Sequence, residues 1–210
     1  VVSGELPTPT LVDVLTGDIP LADAIVETVY TVPIVPASIK LAVGERQLNA
    51  ATSPRKLFRK LAELEEAAKT NPELKFDYVI LDCPPSLGSL TLNALAAADG
   101  VIAPVNSEFF AEQGLNDFLQ TMEDVRVEVN HKLELTGILL TQYSGIKTHK
   151  DVANYLRKTF GSKIFQTVIS KRAILTELPK RGPIQAYAPS SDSAAEYEAL
   201  ASEVENHVHP

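Results

Sequence analysis

The chain has a single cysteine, Cys83, among its 210 residues. One thiol excludes an internal disulfide framework and any zinc or iron–sulfur site that needs several cysteines of this chain, and it suits a reducing compartment. Long apolar runs are missing too: none approaches the roughly 18 residues that a membrane-spanning helix needs. No basic stretch leads into an apolar one at the start, so no signal peptide is expected. The first residue is Val1 rather than Met. No Gly-Lys pair occurs anywhere, and so no Gly-x-x-x-x-Gly-Lys-Ser/Thr loop. That removes the backbone cradle and the lysine by which such loops hold phosphates.

Basic residues are scarce overall, 19 against 27 acids, for a net charge of −8. They are not evenly spread. From Thr141 to Tyr187 nine Lys or Arg stand against two acids, a local +7; the other ten bases and 25 acids leave −15 elsewhere. Such asymmetry marks either a face for nucleic acid or acidic membrane, or merely solvated helix faces.

With 45% hydrophobic residues, the 210-residue chain can bury one substantial core, and a single domain over 1–210 is expected. Helical and strand patterns alternate, which predicts an α/β fold: a mostly parallel central sheet flanked by helices on both faces. Helices are expected over 10–15, 21–27, 54–69 (Ser53 as N-cap, Pro54 at the first position), 90–98, 109–129, 149–160 (closed by Gly161) and 193–208. Strands are expected over 32–35, 78–82, 100–105, 135–141, 163–169 and 184–187.

FDYVILDCPPSLGSLTLNAL, residues 76–95, carries the most information. Tyr78, Val79, Ile80 and Leu81 form a continuous apolar run, as a strand covered on both faces requires. Asp82 follows it, then the Cys83-Pro84-Pro85 corner and Ser86-Leu87-Gly88 ahead of a helix. A carboxylate at such a strand end sits where open α/β sheets bind ligands, and in phosphate-loop NTPases it serves Mg²⁺. A plain helix-capping Asp is the alternative.

The ordered set of motifs around Asp82 favours the first. YVILDCPPSLGSLTLNAL followed by AAADGVIAPVNSEFFAEQGL resembles the deviant Walker-B region of ParA/Soj-type partition ATPases, in the wider group with MinD. LVDVLTGDIPLADAIVET and VPIVPAS before it, and GILLTQY, FGSKIFQTVI, TELPKRGPI and YAPSSDSAAEYEALASEV after it, extend the resemblance over nearly the whole chain. The family's opening strand, phosphate loop, first helix and second strand have no counterpart in this sequence. Truncation at the start, or true loss of nucleotide chemistry, would each account for that.

The resemblance implies ATP and Mg²⁺ as cofactors, a homodimer formed with ATP, non-specific DNA and a ParB-type protein as partners, and a cytoplasmic, nucleoid-associated location. Asp82 matches the catalytic Walker-B carboxylate that reaches Mg²⁺, usually through water. Pro84 and Gly88 line the nucleotide turn. Thr141 and Gln142 stand where the family touches adenine, and Ser170 and Lys171 match the other wall. Asn106 and Glu108 match a polar pair near the dimer face, although Glu108 also reads as a helix-start acid. Lys147, Lys150, Lys171, Arg172, Lys180 and Arg181 fall in the DNA-contacting loops. Ile174 replaces an Arg of many relatives, and Ser190-Ser191-Asp192 a basic run. Without the phosphate loop, this chain alone is expected neither to bind ATP nor to hydrolyse it.

Other readings weaken on the same residues. The tail Ala194–His207 has four Glu and no Lys or Arg, unlike a lipid-binding basic helix. Cys83 reads as a small buried residue, and His207 with His209 as a tail pair rather than a metal site. Tyr197, Leu200 and Val204 read as core packing. The rival function is a non-hydrolysing DNA- or partner-binding scaffold.

Overall fold

The computed structural model describes residues 8–37, 41, 54–107 and 111–208, with backbone alone at 111 and 112. They cluster in two compact units, one built on Val2–Asp99 with Met122–Leu133 and the other on Gly100–Thr121 with Glu134–Pro210. Among the described residues, no helix is long and apolar enough to cross a membrane.

The first unit is mainly helical. Helix α1 (Leu11–Thr16) opens where Asp13 Oδ2 accepts from the Thr10 backbone N–H at 2.8 Å and its hydroxyl at 2.7 Å. It closes at Gly17, with the Gly17 N–H on the Asp13 carbonyl. A two-residue hairpin follows, β1 (Val26–Glu27) with β2 (Pro33–Ile34), where a helix to 27 was expected. Helix α2 (Lys56–Ala68) and α3 (Ser89–Ala97) pack together. Ser53 lies outside the described residues; the start of α2 is capped from α3, by the buried Asn93 Oδ1 accepting from the Lys56 and Leu57 N–H groups at 3.2 and 3.4 Å. Asn130 in turn donates to the Leu95 and Ala98 carbonyls at 3.0 and 2.7 Å, closing α3. Val14, Leu21, Ala24 and Leu64 form one core cluster, and Leu15 with Leu57 another.

The second unit holds a parallel sheet in the order β3 (Gly100–Asn106), β4 (Glu134–Tyr143), β5 (Ile164–Ser170). Successive residues of β4 alternate between two cores. Ile138 and Leu140 meet Leu115 of α4 (Ala111–Glu128) and Ala153 and Leu156 of α5 (Lys147–Phe160). Leu139 joins Phe165 and Ile169 beneath Tyr197, Leu200 and Val204 of α8 (Asp192–Val208), the packing role expected for that trio. Both faces are covered, which is why these strands read as continuous apolar runs. Gly137 admits Phe165: a Cβ there would stand 2.5 Å from Phe165 Cζ. Gly161, at φ 55°, ends α5 through its N–H on the Arg157 carbonyl.

Two further sequence expectations are corrected. Residues 78–82 form no strand: among the described residues no ladder reaches them, and Val79 and Ile80 are 53% and 92% exposed. An apolar run becomes a strand only when another strand satisfies its N–H and C=O groups. Ile184–Tyr187 is a helical turn, α7, not a strand; Pro183 precedes it, with its fixed φ of −59° leading into the turn. The short α6 (Leu178–Arg181) stands just before it.

Candidate nucleotide and DNA site

Asp82, Pro84 and Gly88 belong to the first unit. Asp82 and Pro84 are exposed, on irregular backbone, and Gly88 is the N-cap of α3. The corner is held where Thr91 Oγ donates to the Ser86 carbonyl at 2.5 Å. Cys83 is exposed as a residue, not buried as expected, although its sulfur is half-enclosed. That enclosure and the neighbouring Asp82 carboxylate push its thiol up, so it stays protonated at neutral pH rather than serving as a nucleophile. Asp82 presents an exposed carboxylate. Mg²⁺ is usually held by one or two carboxylates together with phosphate oxygens, and Asp82 fits that donor set. Among the described residues, no group of three or more His, Cys, Asp or Glu could form an all-protein cage.

Asn106, Thr141, Gln142, Ser170 and Lys171 lie at the carboxyl ends of β3, β4 and β5 in the second unit. Asn106 pairs in register with Thr141. Thr141 Oγ donates to the Val105 carbonyl at 3.2 Å, and Ser107, fully buried, donates its hydroxyl to the Thr141 carbonyl at 3.1 Å. Asn106 Oδ1 is buried with no hydrogen-bond partner among the described residues. Such an orphaned acceptor at a strand end is the kind of group a bound donor satisfies. Glu108 lies outside the described residues.

Gln142 is exposed and sits at φ 52°, in the left-handed region that non-glycine residues rarely adopt. The register explains it. From the Leu140–Val168 pair to the Tyr143–Ser170 pair, β4 advances three residues and β5 only two. The extra residue is thrown outward by the bulge. The Lys171 N–H then bonds the Tyr143 carbonyl at 2.9 Å, tying the two strand ends together.

Glu196 of α8 organises the β5 end. It accepts from the Ser170 N–H at 2.9 Å, the Ser170 hydroxyl at 2.6 Å and Arg172 at 2.7 Å. Burial alone would raise the Glu196 carboxyl, but Ser170 and Arg172 outweigh it and hold it below the ordinary glutamate value. Arg172 also pairs with Asp192 at 2.8 Å. Arg181 pairs with Glu177. Lys147, Lys150, Lys171 and Lys180 are exposed and make no ion pair among the described residues.

Sequence reasoning missed Glu196 and Glu203. The available signal was their spacing of seven, two helical turns on one face, on the flank of the Tyr197–Leu200–Val204 stripe.

A parallel sheet with helices on both faces and polar groups gathered at its strand ends defines an α/β protein, and its likeness to solved structures makes the fold phosphate-loop NTPase-like. A family model described as an AAA domain matches residues 3–135. The chain is 39% identical over 199 residues to the sporulation initiation inhibitor protein Soj of Bacillus subtilis, covering 91% of this chain and 74% of that protein. It is 37% identical over 198 residues to the chromosome partitioning protein ParA of Caulobacter vibrioides, covering 93% and 72%. Among solved structures, cobyrinic acid a,c-diamide synthase of Mycobacterium smegmatis with bound ADP and magnesium superposes at TM-score 0.74 and 31% identity, over 93% of this chain and 70% of that one. The chain belongs to the ParA/Soj family of partition ATPases.

Proposed function

We propose that the chain acts in ATP-dependent partition of DNA or positioning of another cargo, as a homodimer that forms with ATP, binds DNA without sequence preference and answers to a ParB-type protein. The observation that carries this reading is the exposed Asp82 carboxylate after its apolar run, in a chain of this family. Asp82 takes the Mg²⁺-side role, reaching the ion through water, with Pro84 and Gly88 shaping the turn. Thr141, Gln142, Ser170 and Lys171 take the base-side role, and Asn106 and Glu108 the dimer-side role. Magnesium and ATP supply phosphoryl transfer to water; the residues of this chain position and stabilise charge. Lys147, Lys150, Lys171 and Lys180 supply exposed cations for phosphate contacts, joined by Arg172 and Arg181 where their acid partners release them. The working location is the cytoplasm, at the nucleoid.

The phosphate cradle is not encoded in these 210 residues. Calorimetry with Mg·ATP is therefore expected to show no micromolar binding by this chain alone. A chimera that places the family's phosphate-loop segment ahead of it should gain Mg²⁺-dependent binding. A chimera that folds yet stays inert would favour the second reading, a non-hydrolysing DNA- or partner-binding scaffold. The irregular, exposed course of residues 78–82 is the observation on that side.

A further inference from the structure

β5 is an edge strand, paired only with β4 among the described residues. Its sequence, Ile164-Phe-Gln-Thr-Val-Ile-Ser170, is apolar or β-prone except at Gln166 and Ser170, with no charge, proline or glycine. Such a segment with an open edge pairs readily with its own kind in another molecule. Here the edge is occupied. The carboxylate of Glu203 accepts from two consecutive N–H groups, Gln166 at 2.6 Å and Thr167 at 3.0 Å. Glu196 takes the Ser170 N–H.

Consecutive N–H groups of a regular strand point in opposite directions, so one carboxylate cannot reach both. The register shows how it does. Between the Ile138–Ile164 and Leu140–Val168 pairs, β4 advances two residues and β5 four. The surplus residues bulge from the ladder and turn both N–H groups toward α8. The α8 stripe Tyr197–Leu200–Val204 seats the helix on the sheet face, which brings Glu196 and Glu203 to the strand's flank. Lys163 and Lys171 bracket the segment, as charges often do beside an association-prone strand.

We propose that Glu196 and Glu203 are a guard on the outer edge of β5, and that releasing them opens this edge to strand pairing with a second copy of the chain. The hydrogen-bond donors and the cations facing the two acids favour their ionised form. Glu203 meets the Gln166 and Thr167 N–H groups, the Thr167 side chain and His207; Glu196 meets Ser170 and Arg172, which also holds Asp192. Burial would raise the Glu203 carboxyl, but these partners hold it below the ordinary value of about 4.5. The guard is in place at neutral pH and loosens in acid. A protonated carboxyl, or a Gln in its place, turns one acceptor into a donor facing an N–H.

The test uses the whole chain without nucleotide, read by amide exchange and by mass in solution, with the variants E196Q/E203Q and E196Q/E203Q/Q166K. In the double variant at pH 7, the Gln166, Thr167 and Ser170 amides should exchange at least about tenfold faster, the factor expected when roughly one hydrogen bond is lost. Ile138 and Leu140 should stay protected, and the mass should rise above wild type. Adding Q166K, a charge on the exposed edge, should restore the wild-type mass while exchange stays fast. Unchanged mass in the double variant, or association that Q166K leaves intact, overturns the proposal. If the double variant loses Leu140 protection as well, acid titration of the wild type decides: the edge amides must open at higher pH than Leu140, and joint opening is a refutation.

Discussion

The Arg172 guanidinium lies 2.7 Å from Glu196 Oε1, and the same carboxylate holds both the N–H and the hydroxyl of Ser170. One acid thus joins a residue of the proposed base wall to a residue of the proposed DNA face. The bridge ties up much of the Arg172 charge, which distinguishes it from its neighbour Lys171.

Neutralising the two neighbours should therefore have different effects on DNA binding. Lys171→Ala should weaken binding and reduce the salt slope by about one phosphate contact, while Arg172→Ala should reduce the slope by less, because its acid partners hold it part of the time. Arg172→Ala should instead lower the melting temperature, because Glu196 loses a charged partner. Affinities measured across a salt series, beside thermal melts, check both halves; equal slope changes would show that Arg172 is free to meet phosphate.

Acid should erode one part of the stability. The folded-state pKa of Glu203 is depressed, so its contribution is complete above the ordinary value of about 4.5 and fades as pH falls through the lower folded value. Glu203→Gln should cost about 1 kcal/mol at pH 7, allowing for solvent screening. The gap between wild type and variant should close in acid. Denaturant titrations at pH 7 and pH 3 measure it, and a gap that widens in acid would reverse the assigned sign.

Gly137→Ala should destabilise by about 1–3 kcal/mol, since the new methyl group overlaps the fully buried Phe165 ring. Shrinking that ring in Gly137→Ala/Phe165→Leu should recover part of the loss. Urea midpoints of the single and double variants decide; additive losses would mean that the two residues do not touch.

Ile80 tests the corrected reading of residues 78–82. At 92% exposure, Ile80→Ser should change stability by less than about 0.5 kcal/mol and reduce aggregation. A residue in a strand covered on both faces would instead cost about 2–5 kcal/mol. Chemical denaturation with light scattering separates the two.

The legible parts of the fold are those where local pattern and tertiary environment agree. β3, β4 and β5 are apolar because both faces are covered, and Gly161 ends α5 in the left-handed turn that a glycine tolerates. Tyr78–Leu81 has the same composition, yet composition records only what a strand would bury, not whether a neighbour is present to pair. Asn93 capping α2 and Glu196 and Glu203 gripping β5 were hidden for a related reason. Their partners are 26 to 37 residues away in sequence, and a Glu on a helix reads as a solvated charge until the fold supplies the opposing N–H groups. Asp82 was legible as a candidate because its place after the apolar run and before the proline corner is a local pattern.

Asp82 is proposed to serve Mg²⁺ in ATP hydrolysis, and the direct measurement is phosphate release by the loop-bearing chimera with and without Asp82→Ala. Asp82 is exposed, so the substitution should leave the melting temperature unchanged. Hydrolysis should depend on Mg²⁺ and fall by at least about a hundredfold in the variant, the loss usual when a charge-stabilising catalytic group is removed. A variant that hydrolyses ATP at the parent rate would contradict the account.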